Sequence, residues 1–145
     1  MTSQPISKTL AQLVTLRCLD LDAGLMEIEA RFEYDARDPF AVWITFEDGR
    51  NCIRWAVCRS LLSLGLTDPA GEGDLQLWPS VDEDGRGVVV LEFCSPDGHL
   101  AVQASTRELY RFLTRTLAVV PFGTESQVLD LDSVIEDLLR FSESE

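Results

Sequence analysis

The sequence predicts an α+β fold in which antiparallel β-sheets dominate and helices follow groups of strands. Residues 26–34 alternate apolar and charged side chains with the period of a strand that is buried on one face. The Asp-Gly pair at 48–49 and the Ser-Pro-Asp-Gly sequence at 95–98 fit the tight turns that join antiparallel strands. A capped amphipathic helix begins behind Ser105. Strands followed by a helix are typical of an α+β domain rather than a parallel α/β sheet.

The first half of the chain contains four predicted strands and a short helix. The strands are expected at residues 14–18, 26–34, 42–46 and 51–55. The helix is expected near Val57 to Leu64, with Gly65 in the left-handed conformation at its end.

The second half repeats this order of strands and helix without a repeated sequence. Strands are expected at residues 75–77, 88–93 and 100–104. A helix then runs from Thr106 to about Val119, where Pro121 stops it. A third helix is expected from Ser133 to Phe141, behind acidic residues that suit a helix start. The arrangement of strands followed by a helix therefore occurs twice.

The 145 residues are expected to form one domain, from residue 11 to residue 141, between a flexible tail at 1–10 and a frayed tail at 142–145. No apolar run is long enough for a membrane span, so no membrane insertion is expected. The opening residues lack the pattern of a secretory signal, which predicts a cytoplasmic protein with reduced cysteines.

The charge of the chain disfavours nucleic acid as a partner. Twenty-five acidic and twelve basic residues give a net charge of −13. A chain so acidic repels a phosphate backbone, because binding to phosphates depends on Lys and Arg.

The sequence contains no recognisable catalytic constellation, so we predict a protein that is not an enzyme and needs no cofactor. The four cysteines do not form a Cys-x-x-Cys pair, and no metal site is predicted from them and His99. His99, which follows a turn glycine, is expected to be solvated.

Arg107, Arg111 and Arg115 lie on one face of the predicted helix and are the candidate partner-binding residues. Arginines on one face can bind carboxylates of a partner. The alternative is that Arg111 pairs with Glu108 and the other two arginines lie in water.

Trp43, Val88 and Val90 are the candidate oligomer-interface residues. Each points away from the apolar face of its own strand, so both faces of the sheet need cover. Either a helix or a second subunit would supply that cover.

Five segments together resemble the SsgA-like family of actinobacterial sporulation and cell-division regulators. They are YDARDPFAVWITF at 34–46, IRWAVCRSLLSLGL at 53–66, GEGDLQLWPS at 71–80, FLTRTLAVVPFGTE at 112–125 and LDLDSVIEDLL at 129–139. Each segment is unremarkable alone, but their order and spacing make the resemblance specific.

The resemblance implies a non-enzymatic protein that positions or assembles division septa, directly or indirectly with the tubulin-like protein FtsZ or with other SsgA-like proteins. It also implies a whirly-like fold and a homo-oligomer, with a trimer expected. The alternative function is a whirly-like protein that binds single-stranded nucleic acid, with Trp43 or Trp55 as stacking platforms.

Overall fold

The computed structural model describes residues 8–19, 26–48, 51–96 and 98–127. The elements in chain order are β1 Thr9–Cys18, β2 Glu27–Asp35, β3 Ala41–Asp48, β4 Asn51–Cys58, α1 Arg59–Gly65, β5 Ala70–Glu72, β6 Leu75–Val81, β7 Gly87–Ser95, β8 Gly98–Ser105 and α2 Thr106–Val119. The mostly antiparallel α+β architecture is therefore as predicted from the sequence. The third predicted helix, at 133–141, lies outside the described residues.

One antiparallel sheet contains all eight of these strands, in the order β4-β3-β2-β1-β8-β7-β6-β5. Strands that follow each other along the chain pair as hairpins, except β4 and β5, which are separated by α1 and form the two edges of the sheet. The two halves of the chain meet where β1 pairs with β8, with Leu16 opposite Ala104. This pairing places both helices against one common sheet rather than in separate units.

The sheet is strongly coiled. Strands β4 and β7 lie five positions apart in the sheet order, which in a flat sheet would separate them by about 24 Å. The rings of Trp55 on β4 and Phe93 on β7 are nevertheless 4.7 Å apart. The sheet therefore curls until its two halves face each other, and its inner face encloses the core.

Side-chain alternation decides which face of each strand enters this core. Ala30, Phe32 and Tyr34 on β2 are fully buried, whereas Glu29 and Arg31, which alternate with them, are exposed. Helix α2 packs on the inner face, where the ring of Phe112 meets the ring of Phe32 edge-on at 5.6 Å. Burial of each such aromatic side chain contributes about 1.5–3 kcal/mol.

The start of α1 and the role of Gly65 differ from the sequence predictions. Strand β4 continues to Cys58, because Val57 and Cys58 still pair with Val42 and Ala41 of β3. Helix α1 therefore begins at Arg59 rather than near Val57. Gly65 is not left-handed: the positive-φ glycines of the described chain are at positions 73, 85 and 123. Its small size serves packing, since an added Cβ would lie 3.0 Å from the Cβ of Leu77.

Val88 and Val90 obtain their cover within the single chain. The two residues are only 5% and 6% exposed to solvent. Val90 lies opposite Trp78 on one side and Gln103 on the other. Their burial does not require a second subunit, which corrects the argument that selected them as interface residues. Within the described residues, no helix is long and apolar enough to cross a membrane.

Candidate interaction surface on helix α2

Helix α2 begins behind Ser105, whose side chain caps its N-terminus. The Oγ atom of Ser105 accepts a hydrogen bond from the backbone N–H of Glu108 at 3.4 Å. Glu108 also places a negative charge in the first turn, where the helix dipole favours it. The predicted start of this helix is therefore confirmed.

The helix has one buried and one exposed face. Leu109, Phe112, Leu113 and Thr116 are buried against the sheet. The opposite face exposes the five side chains that we call the α2 surface: Arg107, Tyr110, Arg111, Thr114 and Arg115. Tyr110 is 63% exposed. The three predicted arginines are thus brought together as the spacing required, and Tyr110 is an addition that the sequence analysis did not name.

Glu108 does not neutralise Arg111, in contrast to one of the two sequence-based interpretations. Its carboxylate Oε2 accepts a hydrogen bond from the backbone N–H of Thr15 on β1 at 3.2 Å. Its backbone carbonyl accepts a second bond, from the side-chain amide of Gln12, at 3.2 Å. Glu108 therefore ties the helix to β1 and faces away from the arginines.

The arginines of the α2 surface keep their charges available. Arg115 donates a hydrogen bond to the amide oxygen of Gln12 at 3.0 Å, which orients its guanidinium without cancelling its charge. Among the residues that the structure describes, the ion pairs are Arg31–Glu33, Arg37–Asp35, Arg59–Glu125 and His99–Glu92. None of these pairs includes an arginine of the α2 surface.

An open groove of about 1210 Å³ adjoins the N-terminal end of the α2 surface. The end of α1 forms one wall with Ser63, Leu66 and Thr67. The start of β7 contributes Arg86 and Gly87, and Arg107 and Tyr110 close the groove from α2. The groove extends the cationic, aromatic character of the helix face and gives it a concave part that can receive a side chain or a peptide.

A buried ion pair fixes the segment that follows α2. Arg59 is 1% exposed and donates to Oε1 of Glu125 at 2.6 Å. Its other terminal nitrogen donates to the backbone carbonyls of Val120 at 2.7 Å and Thr116 at 3.2 Å. The same guanidinium lies 4.7 Å from the ring centre of Phe122. One side chain from α1 therefore holds the last turn of α2 and the loop behind it.

This network shifts two pKa values. The hydrogen bond from Arg59, supported by backbone N–H donors that include Gly123, lowers the pKa of the Glu125 carboxyl. Burial raises the pKa of Tyr34 to about 12, although the charge of Arg59 opposes that shift. The hydroxyl of Tyr34 donates to the carbonyl of Pro39 at 2.8 Å. Both shifts follow from the burial and the hydrogen bonds that fix this part of the chain.

The two candidate stacking platforms have different environments. The guanidinium of Arg54 lies 4.0 Å over the ring of Trp43, whose Nε1 donates to Asp38 at 3.3 Å. Trp55 packs against the core and contacts Phe93. The Trp55 ring is therefore not a free platform, and the Trp43 face is already covered on one side by an arginine of the same chain.

Three side chains that could serve as metal ligands lie at a separate place, the β7–β8 hairpin. Ligand atoms of Glu92, Cys94 and His99 lie within 4.8 Å of one another there. The sequence analysis did not connect Cys94 with His99, because no metal-binding spacing links them.

Comparison with known proteins gives consistent family and fold matches. A family model described as "Streptomyces sporulation and cell division protein, SsgA" matches residues 28–125. The sporulation-specific cell division protein SsgB of Streptomyces coelicolor is 39% identical over 128 residues, which cover 88% of this chain and 93% of that protein. SsgB of Kineococcus radiotolerans is also 39% identical, over 127 residues that cover 87% of this chain and 77% of that protein.

Two solved structures have the same fold. The crystal structure of an SsgA-like sporulation-specific cell division protein from Thermobifida fusca has a TM-score of 0.83 at 31% identity, covering 94% of this chain and 98% of that chain. A second structure was reported with the finding that mutations in SsgB correlate to longitudinal cell division during sporulation of Streptomyces coelicolor. It has a TM-score of 0.81 at 35% identity, covering 87% of this chain and 99% of that chain.

Proposed function

Because the chain belongs to the SsgA family of sporulation and cell division proteins, we propose that it helps to position or assemble division septa by binding other proteins. The observation that carries this proposal is the α2 surface. It holds three arginines and an exposed tyrosine on one helix face. The carboxylate of Glu108 on the same helix bonds the backbone of Thr15 rather than these arginines. In a chain of net charge −13 such a surface is a local exception that suits an acidic partner.

The α2 surface has the composition of a binding site between proteins. Arg and Tyr are enriched at the residues that dominate binding energies, and Arg can grip a carboxylate with two parallel hydrogen bonds. The helix is held by its buried face and by Glu108, so little conformational freedom is lost on binding. Recognition would therefore combine carboxylate contacts to the arginines with apolar contact to the ring of Tyr110.

The partner in this proposal is a cell-division protein, either FtsZ or another SsgA-like protein, reached directly or through an intermediary. The proposal places the protein at division septa during sporulation. A homo-oligomer, with a trimer expected, would repeat the α2 surface and raise the effective concentration of weak contacts. Val88 and Val90 are already buried within one chain, so they do not support that oligomer. Trp43 lies half-buried on the outer face of the sheet and remains a candidate contact.

Binding of single-stranded nucleic acid is the alternative that the same experiments test. A whirly-like fold belongs to this alternative as well as to the main proposal. Neither the covered ring of Trp43 nor the packed ring of Trp55 favours it, and the net charge opposes it.

The decisive experiment compares two triple variants in a pull-down from sporulating cells. The test variant is Arg107→Ala, Arg111→Ala, Arg115→Ala. The control is Lys8→Ala, Arg17→Ala, Arg31→Ala, which removes the same charge from β1, β2 and the residue before β1. We expect the test variant to lose division proteins that the control and the wild type retain, with capture by the wild type weakening as salt screens the arginines.

Three results would count against the proposal. Equal capture by the two triple variants would remove the α2 surface from recognition. Normal septation in a strain that carries the test variant at wild-type abundance would remove its role in division. Salt-sensitive binding of labelled single strands, with no protein partner, would favour the alternative function.

A further inference from the structure

The β7–β8 hairpin brings three potential metal ligands to one place. The strands pair with Ser95 opposite Gly98, and this register sets Cys94 directly opposite His99. Glu92 lies two residues before Cys94, so all three side chains stand on the outer face of the sheet. The cluster depends on cross-strand pairing, which no linear spacing of cysteines reveals.

Two contacts within the cluster have the length of an edge of a tetrahedral zinc site, and the three ligand atoms lie within 4.8 Å of one another. Oε2 of Glu92 lies 3.3 Å from Nε2 of His99, and Oε1 of Glu92 lies 3.7 Å from Sγ of Cys94. Zinc bonds of about 2.0–2.3 Å in a tetrahedron separate neighbouring ligand atoms by about 3.3–3.7 Å. A small rotation of the three side chains would therefore let them share one ion without a movement of the strands.

The three donors favour zinc over the abundant hard cations. A thiolate and an imidazole suit Zn²⁺, whereas Mg²⁺ and Ca²⁺ prefer sites built from oxygen alone. Glu92 and Cys94 are partly buried, and the His99 side chain is 51% exposed. The ion can enter from solvent on the His99 side, and its fourth position would be taken by water.

The metal-free cluster already has the hydrogen bond that metal binding would replace. The Cys94 thiol donates to the Glu92 carboxylate, and partial burial together with the Glu92 charge raises the pKa of that thiol. A cation placed between the sulfur and the carboxylate reverses this effect, because it stabilises the thiolate and releases the proton.

We propose that Glu92, Cys94 and His99 form a Zn²⁺ site that joins the two strands of the β7–β8 hairpin. The site belongs to a different element from the α2 surface and does not depend on the function proposed above. Its chemical role is to cross-link β7 and β8 close to their turn, which would resist fraying of that end of the sheet.

Zinc titration of the purified full-length chain tests the site. Isothermal calorimetry should give one Zn²⁺ per chain, with Mg²⁺ in excess failing to compete. Replacing Zn²⁺ by Co²⁺ should give the visible absorption of a tetrahedral ion with a thiolate-to-metal band. Cys94→Ser and His99→Ala should each weaken binding at least about tenfold, since they remove direct ligands.

Cys52→Ser is the matched control, because Cys52 is a free cysteine on β4 whose cross-strand partner is Glu47 rather than a histidine. We expect this variant to bind zinc as the wild type does and to keep the thiolate band. Zn²⁺ should also protect Cys94, and not Cys52, from alkylation in the wild type. The proposal is overturned if no stoichiometric binding occurs at micromolar zinc, if Cys52→Ser loses binding equally, or if Cys94→Ser retains the full affinity.

Discussion

Among the charged side chains of the described residues, we expect the removal of Arg59 to lower the stability of the fold most. The change Arg59→Ala deletes a guanidinium that is 1% exposed and that donates to Glu125, Val120 and Thr116. Three acceptors from the end of α2 and the following loop then lose their donor. A cavity also remains beside the rings of Tyr34 and Phe122, which lie 5.0 Å and 4.7 Å from the guanidinium carbon.

The expected loss in the free energy of unfolding is about 4 kcal/mol. Breaking a buried ion pair by removal of one partner costs about 3–5 kcal/mol. The loss should stay below the upper end of this range, because the Glu125 side chain is 12% exposed and can turn toward water. The Nε atom of Arg59 has no hydrogen-bond partner in the described structure, which also lowers the contribution of the native pair. For a chain of this length the midpoint of thermal unfolding should fall by about 10 °C.

Urea unfolding followed by tryptophan fluorescence measures this loss. Arg31→Ala is the control, since Arg31 is exposed and its ion pair with Glu33, at 3.6 Å, lies on the surface; a change within about 0.5 kcal/mol is expected there. Arg59→Lys keeps the charge but not the three-way hydrogen bonding and should lose about 1–2 kcal/mol, so it remains measurable if the alanine variant does not fold. An Arg59→Ala loss below about 1 kcal/mol would refute the view that this pair fixes the end of α2.

The remaining predictions concern pH, packing and the exposed helix face. Because the pKa of Glu125 is lowered, its charged form stabilises the fold above the unfolded-state pKa of about 4.3, and this stabilisation is lost as the pH falls further. Glu125→Gln should therefore be less stable than the wild type at pH 7. In urea titrations it should also lose less unfolding free energy than the wild type between pH 7 and pH 3. Gly65→Ala should destabilise by about 1–3 kcal/mol in the same assay, because the new Cβ lies 3.0 Å from Leu77. Phe112→Ala should lose about 3–5 kcal/mol, whereas Tyr110→Ala on the same helix should leave stability within about 0.5 kcal/mol and weaken partner capture. Equal stability losses at positions 110 and 112 would contradict the assignment of the two helix faces.

Local patterns predicted most of the fold correctly. The alternation in β2 and the cap at Ser105 are properties of neighbouring residues, and both are confirmed. The predicted boundary between β4 and α1 was wrong, because the apolar run at 55–58 fits a strand or a buried helix equally well. Pairing with β3 decides the question, and that pairing is a tertiary contact.

The Arg59–Glu125 ion pair and the Cys94–His99 pair differ in how well the sequence could have predicted them. Arg59 and Glu125 are 66 positions apart, and only the coiling of the sheet and the path of α2 bring them together. The pairing of Cys94 with His99, in contrast, follows from the Ser-Pro-Asp-Gly sequence at 95–98 once Ser95 is set opposite Gly98. A search for cross-strand neighbours, rather than for Cys-x-x-Cys spacing, would have found that cluster.

The contacts that hold α2 on the sheet also determine what its outer face can bind. Glu108 stands one turn before Arg111, where an ion pair along the helix is normally expected. Its carboxylate instead bonds the backbone of Thr15, so the side chain that stabilises the helix position no longer screens the arginine. Breaking that bond should therefore weaken recognition as well as docking of the helix, since a freed carboxylate would compete with the partner for Arg111. Glu108→Gln can still accept the bond from Thr15 but carries no charge that could compete for Arg111, so partner capture in the pull-down should persist with this variant; a loss of capture would contradict this account.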